Sequence, residues 1–362
     1  MPKVVPNPND RLWDSLVQSG RQTAGLAQQQ TQVYQDWTRP DPKPIIPFFN
    51  PEGVAVSPDG KYAYVCNSDL YITYGANGSI SKIDLTTRAV IDVFPATSVG
   101  TPPCRMMPQY IAVSPDGTKL YWSSYNGDYA FCSSATDGSA LDLWSVGGIT
   151  HVRIDSSGTY VCFVQGNVVW CVDIESNLMA SPHYSPPDGN VGLFDIGFLG
   201  MGGWTAGFHN EFGYLYDFDL PATSLGRDPL GLYNDPAGVV AFDFDLGSVI
   251  YTAIPNGNKV ICYGSITTTI TVGNQPLNMA VTPDFAEVWV VNVYDGTISV
   301  INVGTNTVTH TVPFGTAGTS GYSIDWDIAA DPGGVYMYVT HGVDGTFSII
   351  NRATYSVVKV LP

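Results

Sequence analysis

Charge is scarce in this chain, and positive charge is scarcest. Only 13% of the 362 residues are charged, and 15 Lys and Arg stand against 32 Asp and Glu, a net charge of −17. Binding to nucleic acid draws on Lys and Arg that displace counterions from phosphate, so this balance excludes a phosphate-backbone partner. It excludes an anionic membrane surface for the same reason. No apolar run reaches about 18 residues, the length that marks a membrane-spanning helix. The opening Met1-Pro2-Lys3-Val4-Val5-Pro6 has no apolar centre of the kind a signal peptide needs, so export by the general secretory route is not expected. Among Cys66, Cys104, Cys132, Cys162, Cys171 and Cys262 there is no CxxC pair and no metal-ligand spacing. A glycine-rich phosphate loop, a GxSxG elbow and an HExxH helix are absent too.

What is present points to strands and turns. Hydrophobic residues make up 44%, enough for a large core, and there are 38 Gly, 26 Pro and 21 Tyr. That mix suits many short strands joined by tight turns better than helices, which use more Ala, Glu and Lys.

One phrase recurs. It stands at Pro51-Glu52-Gly53-Val54-Ala55-Val56-Ser57-Pro58-Asp59-Gly60, at Pro108-Gln109-Tyr110-Ile111-Ala112-Val113-Ser114-Pro115-Asp116-Gly117, and at Pro276-Leu277-Asn278-Met279-Ala280-Val281-Thr282-Pro283-Asp284. An aromatic-rich run follows each copy: Tyr62–Asn67, Leu120–Ser123 and Val288–Asn292. A short apolar strand, a tight turn and a returning strand form a hairpin. Third and fourth strands follow at Gly78–Asp84 and Val90–Val93, and again at Gly296–Asn302 and Val308–Val312. Four antiparallel strands per repeat of roughly 40–50 residues make a propeller blade. Weaker copies lie at 150–174, 239–272 and 324–360, and a degenerate stretch at 191–220 has room for one more. The expected fold is therefore all-β, a seven-bladed β-propeller over 44–362, with six blades as the fallback if that stretch is only a loop. Each unit runs from inner to outer strand, so no split blade ties the ends, although Ile45–Phe49 is suited to an edge strand on the last blade.

At these residues the chain resembles the YVTN-type β-propeller repeat family, whose pattern is P-x-x-I-A-V-S-P-D-G followed by Y-V-T-N and S-V-S-V-I-D. The resemblance covers roughly 51–361 and is strongest in the first, second and sixth units. It implies a propeller, often on surface-layer or other extracellular proteins, and a related group looks like six-phosphogluconolactonase.

Turns between first and second strands, and between third and fourth, are short; the other connections are long, which gathers elaboration on one face, as on a binding surface. That face carries the candidate contacts Tyr71, Tyr74, Tyr125, Tyr129, His183, Tyr184, Tyr233 and Tyr294, side chains suited to glycan or protein. Cys104 and Cys132 fall beside the same blade and are candidates for a disulfide. Asp325 and Asp327, at the mouth of an inner strand, are candidate oxygen ligands for Ca²⁺; no other cofactor is expected. The five histidines show no triad or metal spacing, and no catalytic residue is expected.

Residues 1–43 are unlike a blade. Leu12, Leu16, Leu26, Val33 and Trp37 follow steps of three and four with intervening polar residues, a heptad seam in an extended or helical arm. Such an arm suits docking or oligomerisation with other subunits of a larger assembly. An exported-type fold without a leader, joined to a docking arm, leads to the expectation of a non-enzymatic virion component, a bacteriophage tail or capsid-surface protein. Two alternatives stand beside it. A lactonase-like propeller enzyme needs charged residues converging on the central channel, and a cell-surface adhesion propeller needs a secretion route of its own.

Overall fold

The computed structural model divides the chain into Met1–Ile46 and Pro47–Pro362. It describes residues 48, 50–68, 78–96, 98, 106–124, 129–146, 149–155, 157–165, 168–184, 193–198, 205–210, 214–219, 225–229, 239–244, 247–318 and 326–362, with the backbone alone at 149, 150, 165 and 180–248. The arm residues Leu12, Leu16, Leu26, Val33 and Trp37 lie outside this set.

The described strands form seven four-stranded antiparallel sheets, each built from strands consecutive in sequence. They span 51–95, 108–145, 149–184, 193–229, 239–271, 276–313 and 328–361, and they are called the first to seventh sheets below. The fold is an all-β propeller. The degenerate stretch forms the fourth sheet, with Thr205–Asn210 paired to Leu193–Phe198 on one side and Tyr214–Asp219 on the other.

Position within a sheet explains the composition of each strand. Second strands are covered on both faces by neighbouring sheets, so Glu287–Asn292 (EVWVVN) is buried throughout, the near-continuous apolar pattern of a strand with no wet face. Outermost strands meet water, so Thr307–Pro313 (TVTHTVP) is mostly exposed and polar.

The Ser-Pro-Asp-Gly turn is built by its own side chains. Ser57 Oγ donates to Asp59 Oδ1 at 2.7 Å, Lys61 N donates to the same oxygen at 3.1 Å, and Tyr62 N donates to Ser57 Oγ at 2.9 Å. The hydrogen bonds from Ser57 and then Lys61 hold the Asp59 carboxyl down at about 2. Successive turns nest against one another. A β-carbon at Gly158 (φ +71°) would stand 2.8 Å from Pro115 of the preceding turn, so glycine there answers both the left-handed backbone and the close approach.

The turns between third and fourth strands carry a second device. Each of five carries a residue at positive φ, namely Arg88, Gly138, Asn177, Asn306 and Tyr355, and each reaches the preceding sheet. Arg88 donates to Tyr336 Oη at 2.8 Å. Asn177 Oδ1 accepts from Lys119 Nζ at 2.9 Å, and Asn306 Oδ1 accepts from Tyr251 Oη at 2.5 Å. Gly138 leaves room for Phe94, and Tyr355 donates to Glu287 Oε1 at 2.7 Å.

Ring closure uses polar side chains of the seventh sheet. Asp327 Oδ2 accepts the backbone N–H of Val54, in the first sheet, at 3.0 Å, and Thr340 Oγ1 donates to the Glu52 carbonyl. Phe48, expected in an edge strand, is in no strand; its ring packs 5.8 Å from that of Phe347.

The sixth and seventh sheets are joined by ions. Arg352 Nε and Nη1 each lie 2.8 Å from a carboxylate oxygen, of Glu287 and Asp284 respectively. Burial works against ionising Asp284, but hydrogen bonds from Arg352 and Thr282 outweigh it and hold its carboxyl at about 2. Glu287 is lowered by the same balance, its donors being Tyr355, Arg352 and Trp289. Acids depressed on folding take up protons more readily when unfolded, so their stabilisation is complete above about pH 4 and is lost as pH falls toward 2. Arg352→Met is expected to cost roughly 2 kcal/mol at pH 7 and to flatten the fall in melting temperature between those pH values. Thermal melts followed by circular dichroism at a series of pH values check both.

Candidate active site at the propeller axis

A single register across the sheets locates the site. In five of the six sheets with described side chains, a small inner-strand residue faces a large aromatic one: Ala55 and Tyr64, Ala112 and Tyr121, Val240 and Tyr251, Ala280 and Trp289, Ala329 and Tyr338. (Of Val240 only the backbone pairing is meant.) In the third sheet the sizes are exchanged, with Arg153 facing Cys162. A small partner leaves volume for a guanidinium, so the third sheet carries a cation where the others carry a methyl or isopropyl group.

Two residues earlier stand Gly53, Tyr110, His151 and Asn278 in their inner strands, and Asp327 just before the inner strand Ile328–Ala330. The last four are buried, and the structure connects them. Tyr110 stacks on His151 with ring centroids 4.1 Å apart. His151 Nε2 lies 3.3 Å from Asn278 Oδ1. Asn278 Nδ2 donates to the Trp326 carbonyl at 2.7 Å, and Asp327 then bonds to Val54. The third and sixth sheets are not neighbours in the ring, so the contact between His151 and Asn278 spans the axis. One polar chain thus links five sheets across the channel.

Charge converges on this chain. Burial raises the Asp327 carboxyl above its ordinary value, while Arg153, the N–H groups of Val54 and Ile328, and His151 pull it down. Buried Glu52 lies nearby, since it and Asp327 both push the Cys66 thiol up, after burial itself, which is the largest effect. Cys66 is therefore held as the thiol and is no nucleophile. The arrangement offers a cation, an imidazole and an amide next to buried carboxylates, the components of electrostatic stabilisation and proton transfer at a polarised carbonyl.

The expected site residues fare differently. Tyr71, Tyr74, Tyr125, Tyr233, Asp325 and Cys104 lie outside the described residues, and of His183 and Tyr184 only the strand Met179–Tyr184 is described. Tyr129 opens the strand Tyr129–Ser134 half-buried, packed against the core between the first and second sheets. Tyr294 is half-buried against the core of the sixth and seventh. Asp327 is placed at the axis, where Val54 N donates to one carboxylate oxygen and Ile328 N to the other, at 3.0 and 2.8 Å. No group of three or more metal-ligating side chains occurs among the described residues.

The expected Cys104–Cys132 disulfide is corrected. Cys132 is unpaired and buried at the centre of its strand, because its neighbour across the sheet is Tyr121. The bridge is Cys162–Cys171, with Cα atoms 4.1 Å apart on directly opposed strand positions. Arg153 and His151 are candidate site residues that sequence reasoning missed. The signal for Arg153 was a cation in a repeat column otherwise filled by Ala and Val.

No family model and no curated protein matches the chain. Solved structures do. The chain is similar to Kuenenia stuttgartiensis hydrazine synthase at a TM-score of 0.61 and 14% identity, over 84% of this chain and 96% of that one. It is similar to the dihydro-heme d1 dehydrogenase NirN, solved in complex with DHE, at a TM-score of 0.57 and 14% identity, over 89% of this chain and 67% of that one. At this identity the likeness is one of fold. Both are enzymes by name, so this fold is not reserved for display, and the expectation of a non-enzymatic chain, which treated the fold as a display scaffold, is withdrawn. No helix among the described residues is long and apolar enough to cross a membrane.

Proposed function

We propose that this propeller is a lactonase-like hydrolase whose site is the polar chain at the axis. The observation that carries the reading is the contact of His151 with Asn278 across the axis, with Arg153 two residues further along the His151 strand and both Arg153 and His151 acting on Asp327. Charged groups meeting in the channel are what such an enzyme requires. Arg153 and Asn278 are suited to hold a ring-ester carbonyl and the oxyanion that forms from it. His151 takes a proton from water as the water oxygen bonds to the carbonyl carbon. The ring C–O bond then breaks, and the proton passes to the departing alkoxide. Asp327, fixed by the N–H groups of Val54 and Ile328, holds the segment whose Trp326 carbonyl anchors Asn278, as a positioning residue.

The Cys162–Cys171 bridge supports a location in an oxidising compartment, outside the reducing cytosol. Of the virion reading, docking through 1–43 rests on residues outside the described set, and of its contact face Tyr129 and Tyr294 pack against the cores of the sheets.

The test is acid release from a panel of five- and six-membered lactones by the full-length protein, followed by proton NMR. Turnover above the buffer rate is expected for at least one. His151→Gln and Arg153→Met are expected to lower kcat/KM by about 100-fold or more with melting temperatures close to wild type. Absence of turnover across the panel refutes the reading, as does full activity in both variants.

A further inference from the structure

A cleft of about 240 Å³ opens between the first and second sheets, lined by their short turns. It lies at the far end of the inner strands from His151. Tyr62 and Tyr64 wall it, Lys82 lies within it, and Asp59, Asp116 and Thr136 line it as well.

Lys82 is the unusual member. It faces Tyr64 across the strands, in the repeat column that elsewhere holds Cys132, Cys171, Cys262, Val300 and Ile349. A column of apolar residues has been given an amine at this one cleft. Its Nζ lies 4.5 Å from the centre of the Tyr62 ring and donates to the Ala135 carbonyl at 2.8 Å. A tie between sheets does not need a lysine there. Lys119, at the edge of its strand, makes the equivalent bond to the Ile174 carbonyl at 2.6 Å.

We propose that this cleft binds one neutral sugar ring, its apolar face against Tyr62 and its hydroxyls between the Lys82 ammonium and the carboxylates of Asp59 and Asp116. The charges select neutrality: an anion drawn to Lys82 meets two carboxylates, and a cation drawn to the carboxylates meets Lys82. A ligand with one apolar face and a rim of hydroxyls satisfies all of these groups at once. Asp59 Oδ2 pairs with Lys61 Nζ at 3.0 Å and Asp116 Oδ2 accepts from Thr118 Oγ1 at 2.8 Å; each of these oxygens keeps a second lone pair, and the Lys82 ammonium has three donors, of which one goes to Ala135. Size agrees, because the cleft is smaller than the roughly 300–1,000 Å³ that holds a drug-sized ligand. The inference is independent of the proposed hydrolase activity.

Saturation-transfer NMR and calorimetry on the full-length protein test it, using the methyl glycosides of glucose, galactose, mannose, N-acetylglucosamine and fucose. Binding of at least one is expected. Tyr62→Ala should weaken it about tenfold or more, Tyr62→Phe should leave it within about threefold, and Lys82→Met should weaken it about fivefold. His151→Gln should leave it unchanged. An oligosaccharide ending in the same ring that binds as well as the methyl glycoside assigns the cleft to a glycan terminus; weaker binding assigns it to free sugar. The proposal is overturned if no glycoside binds, or if Tyr62→Ala and Lys82→Met both bind like wild type. It is equally overturned if acetate, phosphate or choline occupies the cleft more tightly than every glycoside.

Discussion

Asp327→Ala is expected to destabilise the protein by about 3–5 kcal/mol, because two buried backbone donors, Val54 N and Ile328 N, lose their acceptor together. Each such loss costs about 1–3 kcal/mol, and one of the two bonds is a link that, with the bond from Thr340 to the Glu52 carbonyl, closes the ring between the seventh and first sheets. Asp327→Asn should cost only about 1–2 kcal/mol. The amide oxygen still accepts one of the two N–H groups, and the substitution removes a carboxyl that burial already disfavours in its charged form. Urea unfolding with an unchanged slope would measure the difference. If Asp327→Ala came within 1 kcal/mol of wild type, closure would have to rest on apolar packing around Phe347 and Tyr338 instead.

Trp289→Ala should cost about 3–5 kcal/mol, the usual range for emptying a buried aromatic site. Trp289 is wholly buried, donates to Glu287 Oε2 at 3.0 Å and stacks near Tyr355 at 5.9 Å. Its removal therefore opens a cavity and leaves the ionic junction of the sixth and seventh sheets short of a donor. Trp289→Tyr should cost no more than about 1.5 kcal/mol, since tyrosine occupies this register at Tyr64, Tyr121, Tyr251 and Tyr338. Equal losses for the two substitutions would show that the indole N–H, and not the volume, dominates.

The third sheet shows where reading the chain stopped short. Val152-Arg153-Ile154 was recognised as a weak copy of Ile-Ala-Val, which located the strand. Arg153 stands where the other copies carry alanine or valine, and that contrast acquires a site only when the ring brings it beside Asp327. The cysteines failed for a different reason. Cys104 and Cys132 were paired by loop proximity, but a disulfide needs Cα atoms a few ångströms apart, and the register of a hairpin decides that. Cys162 and Cys171 meet because the antiparallel register of Tyr160–Gln165 and Val168–Asp173 sets them opposite each other. Glu52, Gln109 and Cys66 looked like ordinary strand residues, and only burial brought two of them, Glu52 and Cys66, into one electrostatic neighbourhood.

The sequence alone determined the blade. Ser-Pro-Asp-Gly closes through bonds between residues two to five apart, and strand periodicity is equally local, so both are written in adjacent letters. Tertiary structure decided everything that crosses the ring. His151 and Asn278 are 127 residues apart, and Asp327 and Val54 are 273 apart. Such pairs are chosen by the curvature that stacks the sheets around an axis, and no local pattern records it.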